Sequence, residues 1–277
     1  MYYFETNALT GLSNVLKELV ESNNTIYTSY LSILELISGI DSEEKFLKRK
    51  SILQNVRKSN MKIVWKTPRQ IIYESYELCC DDTFDIKIAR TMFDRILSSE
   101  SYNKLKKYSD NINEECKLEY FVQYDEEISK AGIDFSKEDI IRFSNAYPKD
   151  TRKEIKNHLL NTDYIFAQAH VESEILIRSN LEEIIKIEGL TGDYFQLIKK
   201  YDRNLDDYCF VQSFKSIESI IKGNEYGTND LMDLLHLLYL TKSNMIVTND
   251  EKLKLLIDRT KRFKYIDTES VKNINNP

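Results

Sequence analysis

Asn229-Asp230-Leu231-Met232-Asp233-Leu234-Leu235-His236-Leu237-Leu238-Tyr239-Leu240, followed closely by Met245-Ile246-Val247-Thr248-Asn249-Asp250, is the stretch that decides the fold. The first block reads as an amphipathic helix with Leu231, Leu234, Leu235, Leu238 and Tyr239 as its apolar stripe. Asp230 and Asp233 stand three apart, so helical spacing puts both carboxylates on one face near the helix start. Met245-Ile246-Val247 is short, apolar and β-branched, the pattern of a strand covered on both faces, and the chain after it stops on Asp250. In an open α/β sheet, strand ends and helix starts together form the ligand-binding edge. Three acids directed to one edge repel each other unless something cationic lies between them.

The same unit recurs at the other end of the chain. Tyr2-Tyr3-Phe4 is strand-like and runs into Glu5-Thr6-Asn7 and a helix through Leu9, Leu12, Leu16 and Leu19. Asn23-Asn24 marks a turn, and Thr25-Ile26-Tyr27-Thr28 reads as a second strand ending at Ser29. A short helix from Leu31 to Ser38, closed by Gly39, carries Glu35. Met61–Trp65 supplies a third strand, and Pro68 opens the next segment. Past Asp250, the pattern predicts a helix from Glu251 to about Thr260 and a last strand, Phe263–Ile266. Singly, these acids have plainer readings. Asp230 and Asp250 suit helix N-caps, and Ser32 with Glu35 fits a capping box.

Residues 70–224 switch to helical periodicity with almost no strand signal, which predicts a large all-helical insertion. Ala131–Ser136 reads as a loop, with Ser136-Lys137-Glu138-Asp139 as a capping box, and Tyr147-Pro148 as a break. From Thr151 to Ile187 the pattern suggests two helices meeting near Ser179-Asn180, and Gly223–Thr228 returns the chain to the α/β part. The expected organisation is a discontinuous domain, 1–69 with 225–277, interrupted by a helical subdomain over 70–224.

Composition narrows the classes. Among 277 residues there are only 7 Gly and 3 Pro, with 30% charged, as in a helix-rich protein. A net charge of −6 gives no global basic signature for nucleic acid. Locally, Lys45 to Arg69 holds nine basic residues and no acid, including the cluster Lys48-Arg49-Lys50. Two readings stay open there: a polyanion such as an RNA backbone, or a solvated helix face. Cys79, Cys80, Cys116 and Cys209 form no CxxC pair, which argues against a thiolate zinc site and a disulfide framework. No apolar run approaches the roughly 20 residues of a membrane span, so the expectation is a reduced cytoplasmic setting.

Phe4-Glu5-Thr6-Asn7-Ala8-Leu9, Ser29 with Glu35-Leu36 and Gly39, Asp233 in its leucine-rich helix, and Val247-Thr248-Asn249-Asp250 together resemble the conserved blocks of the PIN nuclease family, in the family's order. The resemblance covers roughly residues 1–66 and 225–277. It implies a three-layer α/β/α sandwich with a mainly parallel sheet and metal-dependent cleavage of RNA by Mg²⁺ or Mn²⁺. Glu5, Glu35, Asp233 and Asp250 fall on the family's four acid positions, with Asp230 as an additional acid. Thr6, Asn7, Ser29 and Thr248 would orient ligands or contact phosphate, and Lys48, Arg49 and Lys50 would meet the RNA. Hard cations take oxygen ligands, and a cation also neutralises an acidic pocket that would otherwise repel RNA. Glu5 departs from the family, whose first acid is normally Asp, and this raises the alternative of a PIN-like module that binds RNA or protein without cutting. An inhibitory partner, or a homo-oligomer built through the insertion, belongs to the same expectation. His236 reads as a packed core histidine, and Arg152 with His158 only faintly resembles the Arg-x-His motif of metal-independent helical ribonucleases.

Overall fold

The computed structural model describes residues 1–11, 25–110, 117–159, 162–190, 194–241 and 244–273. Five short strands form one sheet: β1 (Tyr2–Phe4), β2 (Ile26–Ser29), β3 (Lys62–Val64), β4 (Met245–Val247) and β5 (Lys264–Ile266). Their order is β3-β2-β1-β4-β5, and every pairing is parallel. β1 is central, with Tyr3 opposite Tyr27 on one side and Ile246 on the other. The strand order therefore reverses across β1. In such sheets the carboxyl ends of the strands at that reversal, here β1 and β4, are the usual ligand position.

The helices, in order, are α1 (Thr6–Thr10), α2 (Tyr30–Ser38), α3 (Glu43–Lys58), α4 (Pro68–Glu74), α5 (Thr83–Ser98), α6 (Tyr102–Asp110) and α7 (Leu118–Ala146). They continue as α8 (Lys149–Leu159), α9 (Thr162–Glu188), α10 (Tyr194–Lys199), α11 (Asp206–Lys222), α12 (Asp230–His236), α13 (Glu251–Thr260) and α14 (Thr268–Asn273). A 3₁₀ turn, Leu237–Tyr239, extends α12. The chain is thus α/β, with far more helix than strand.

Alternation along each strand divides the core in two. Phe4, Ile26 and Val247 belong to one cluster, with Phe46 and Leu53 of α3, Met92 and Phe93 of α5, and Phe121 of α7. Tyr3, Tyr27 and Ile246 belong to the other, with Ile177 of α9, Phe210 and Phe214 of α11, and Leu253 of α13. The sheet is therefore buried on both sides. Helices from 70–224 contribute to both clusters, so the boundaries near 69 and 225 cross each core rather than separating two.

Two expectations within the helical part are corrected. Ala131–Ser136 is the interior of α7, not a loop. A Cβ on Gly132 would lie 2.7 Å from the Cβ of Leu231, so this glycine lets α7 and α12 approach closely. Ser136 caps nothing. Its hydroxyl donates to the Ile133 carbonyl (2.9 Å) and accepts from the Tyr226 amide (2.8 Å). Ser179-Asn180 likewise sits inside α9, where no two helices meet. The break at Tyr147-Pro148 stands, and Gly223 closes α11 with a left-handed φ of 70°. Leu12, Leu16, Leu19, Asn23-Asn24 and Cys116 lie outside the described residues. Among the described residues, no helix is long and apolar enough to cross a membrane.

Candidate active site at the carboxyl edge of the sheet

Each acid arrives by a separate piece of local structure. Glu5 directly follows β1 and is the N-cap of α1, accepting from the amides of Asn7 (2.6 Å) and Ala8 (3.0 Å). Glutamate is an uncommon cap, but here its longer side chain reaches both orphan N–H groups. Glu35 comes from α2, whose true cap is Ser29, accepting from the Ser32 amide at 3.1 Å. The Ser32–Glu35 capping box is therefore not formed, and Glu35 is free to turn inward. Asp250 caps α13 through the Leu253 amide (2.8 Å), as the plainer reading expected.

At the centre stands His236, only 2% exposed. Its Nε2 lies 2.8 Å from Glu35 Oε2 and its Nδ1 lies 2.5 Å from the Tyr3 hydroxyl. The Tyr3 hydroxyl also lies 2.8 Å from Ser29 Oγ. Two donor patterns satisfy this chain: an imidazolium that donates to both Glu35 and Tyr3, with Tyr3 donating to Ser29, or a neutral ring that donates from Nε2 to Glu35 and accepts at Nδ1 from the Tyr3 hydroxyl, with Ser29 donating to Tyr3. Thr6 completes the shell by donating from its hydroxyl to Glu35 Oε2.

The ionisation behaviour reflects this crowding. Burial pushes the Glu5 carboxyl up to about 7, helped by the charge of Glu35 and opposed by His236 and the two amides. Burial also raises Asp233 to about 7, and the neighbouring charges of Asp250, Glu35 and Glu5 add to it against His236. For His236, burial works against the imidazolium. The surrounding charges of Glu35, Glu5 and Asp233, with the Glu35 hydrogen bond, outweigh it and hold the ring above its ordinary value. The crowded acids thus favour the protonated form of the ring that lies among them.

The remaining residues divide. Ser29 and Thr248 are fully buried; Ser29 is bonded to Tyr3, and Thr248 Oγ1 accepts from the Asp250 amide at 3.0 Å. The Asn7 side chain is exposed beside the site. Asp230 points away: its carboxylate meets Lys215 (3.1 Å) and the Gly227 amide (2.9 Å), so it is not gathered with the other acids. Of the basic cluster, only Arg49 turns toward Glu35. It is partly buried against Gly39, and burial lowers its pKa against the opposing charge of Glu35. Lys48 is exposed, and Lys50 donates to the Ser99 carbonyl.

Three participants were not among the expected acids and contacts. His236 lies one turn after Asp233, a spacing that admits a metal neighbour as well as the packed core histidine favoured from sequence, and it is buried as that favoured reading expects while also bonding Glu35. Tyr3 sits in the strand itself. Asp125 comes from α7, accepts from the Ser38 hydroxyl at 3.3 Å, and has its pKa raised by burial and by Glu35. Nothing local in the sequence of a long charged helix reveals which acid faces a distant pocket.

The donor set has the oxygen chemistry that suits Mg²⁺ or Mn²⁺. Among the described residues, nothing donates a hydrogen bond to the Asp233 carboxylate, which leaves a mostly buried acid without a donor. A carboxylate offers about four acceptor positions, so the amides on Glu5 and Asp250 leave capacity for a cation. No three His, Cys, Asp or Glu side chains among the described residues are already arranged around one ion. Comparison with protein-family models, with curated proteins and with solved structures returns no match.

Proposed function

We propose that this chain is a PIN-like, metal-dependent endoribonuclease, with a three-layer α/β/α arrangement around its parallel sheet. One observation carries the reading. Glu35 bonds buried His236, Glu5 and Asp233 act on the same ring, and Asp250 lies in the field of Asp233, so four acids from separate chain segments are electrostatic neighbours at the edge where the strand order reverses. Asp233, Asp250, Glu35 and Glu5 would hold Mg²⁺ or Mn²⁺. When bound, such a cation supplies a water nucleophile at neutral pH and offsets the charge of the phosphodiester. The chain's own part is positional. The two amides fix Glu5, Thr6 and His236 fix Glu35, and the Leu253 amide fixes Asp250. Burial and the neighbouring acids raise Asp233 to about 7, and a bound cation would favour its ionised form.

A second reading, a PIN-like module that binds without cutting, is favoured by a specific feature. His236 already bonds Glu35, and both Glu5 oxygens already serve a helix cap. One experiment separates the two. Labelled single-stranded RNA is incubated with the wild type, Glu5→Asp and Asp233→Asn in Mg²⁺, Mn²⁺ or EDTA. Metal-dependent cutting by the wild type, lost in Asp233→Asn, is the expected result. Cutting that persists in Asp233→Asn would remove the assignment. Cutting by Glu5→Asp alone would establish the binding module.

A further inference from the structure

α7 links two places of opposite charge. Near its start, Asp125 lies beside Ser38 and Glu35 at the acidic edge. Near its end, Ile140, Phe143 and Ser144 form one wall of an open groove of about 850 Å³, completed by α8 and the last turn of α11. Lys149, Arg152, Lys153 and Lys156 of α8 line it, with Asp150 as the one acid among the lining residues. Lys222 enters from α11 but is drawn to Glu218 at 3.3 Å. Among the described residues, the four α8 cations form no ion pair, whereas Arg57, Lys66, Arg69 and Lys215 are each paired with an acid. The α8 cations' spacing of three, one and three places them along one helix face.

Four unpaired cations over a partly apolar floor form a site for a polyanion. The groove also has an aromatic edge: Phe143 and Tyr147 pack at 5.4 Å between ring centroids, and Tyr147 is 43% exposed. Exposed rings beside lysines and arginines favour a nucleic acid over an acidic peptide, because unpaired bases stack where carboxylates have nothing to gain. From Asp125 to Ile140 the helix rises about 22 Å at 1.5 Å per residue, a span that a few extended nucleotides can cover.

We propose that the α7–α8 groove binds the sugar-phosphate backbone of single-stranded RNA, holding it while a more distant part of the strand lies at the acidic edge. The choice of RNA rests on the nuclease reading; the polyanion site rests on the groove itself. The test is a binding measurement, made in EDTA so that nothing is cut. Fluorescence anisotropy of a labelled oligoribonucleotide is followed against salt for the full-length wild type, Lys153→Glu/Lys156→Glu, and Lys87→Glu on α5 as a surface control. The double variant is expected to bind about tenfold more weakly and to lose about 1.4 from the slope of log affinity against log salt, two contacts at about 0.7 each. Lys87→Glu should bind as the wild type does. Equal affinity and slope in wild type and double variant would overturn the proposal, as would tighter binding of an oligoglutamate peptide than of RNA. Groove-dependent binding by a protein that never cuts would keep the groove and remove the nuclease. Cutting with unchanged binding in the double variant would do the reverse.

Discussion

The acidic edge and the basic groove sit along the same helix, and each concentrates charge of one sign, but they manage it differently. At the edge the charges are buried, so the fold must neutralise them: the surrounding acids raise the pKa of His236, and burial lifts Glu5 and Asp233 to about 7. In the groove, Lys149 and Lys153 are exposed and water does the same work without a partner. The difference teaches that the degree of desolvation, rather than the number of like charges, decides whether a cluster is bound into the fold or left available to a ligand.

This contrast can be broken most sharply at His236. Replacing it by Ala leaves Glu35 and Tyr3 without their buried partner, and removal of one member of a buried pair costs about 3–5 kcal/mol. Urea unfolding should show that loss; a change below about 1 kcal/mol would mean the ring does not hold the acids together. The next effect is a pH dependence. Asp233 rises from 3.8 to about 7 and Glu5 from 4.5 to about 7 on folding, so the folded chain binds more protons between those values. The slope of stability is therefore negative, and the contribution present at low pH is lost as pH rises toward and past 7. The raised His236 adds in the same direction, since its contribution is lost as pH climbs through its folded value. Asp233→Asn should remove part of this slope. Without metal its advantage over the wild type is expected to be about 2 kcal/mol larger at pH 8 than at pH 5, read from melting at both values. Added Mn²⁺ should narrow the gap at pH 8 by stabilising the wild type alone.

A smaller effect tests the junction that joins the helical part to the edge. Gly132→Ala improves helix propensity by about 1 kcal/mol, yet the new methyl meets Leu231, and such overpacking costs about 1–3 kcal/mol. A net loss of about 1 kcal/mol is expected, and a net gain would show that α7 and α12 can separate freely. The smallest effect belongs to the groove. Lys153→Glu should change stability by no more than about 0.5 kcal/mol, because its charge is solvated and unpaired. If it proved as costly as His236→Ala, the distinction between the two regions would fail.

Much of this architecture can be read from residue pattern alone. The five strands fall where short β-branched or aromatic runs stand, and Pro68, Gly39 and Gly223 mark element boundaries because proline and helix-ending glycine act within a few residues of themselves. The order of the acids along the chain also comes from local pattern: acids placed just after a strand or inside the next helix come to one edge once the strands run parallel. Some local signals misled. Gly132 and Ser136 look like a loop and a cap, but they serve the contact of α7 with Leu231 and Tyr226, from segments about a hundred residues away in sequence. Asp230 and Asp233 look equivalent at helical spacing, yet Lys215 of α11 takes the first and leaves the second without a hydrogen-bond donor.

The sequence by itself indicated the five strands, most of the helices and the acids that follow the strands, since these depend on periodicity and on nearest neighbours. Only the tertiary structure decided that every strand pairing is parallel, that His236 bonds Glu35, that Asp230 turns away while Asp125 approaches from α7, and that, among the described residues, the four lysines and arginines of α8 form no ion pair. Those outcomes depend on burial and on partners distant in the chain, which set the energy of a charge and which no local pattern encodes.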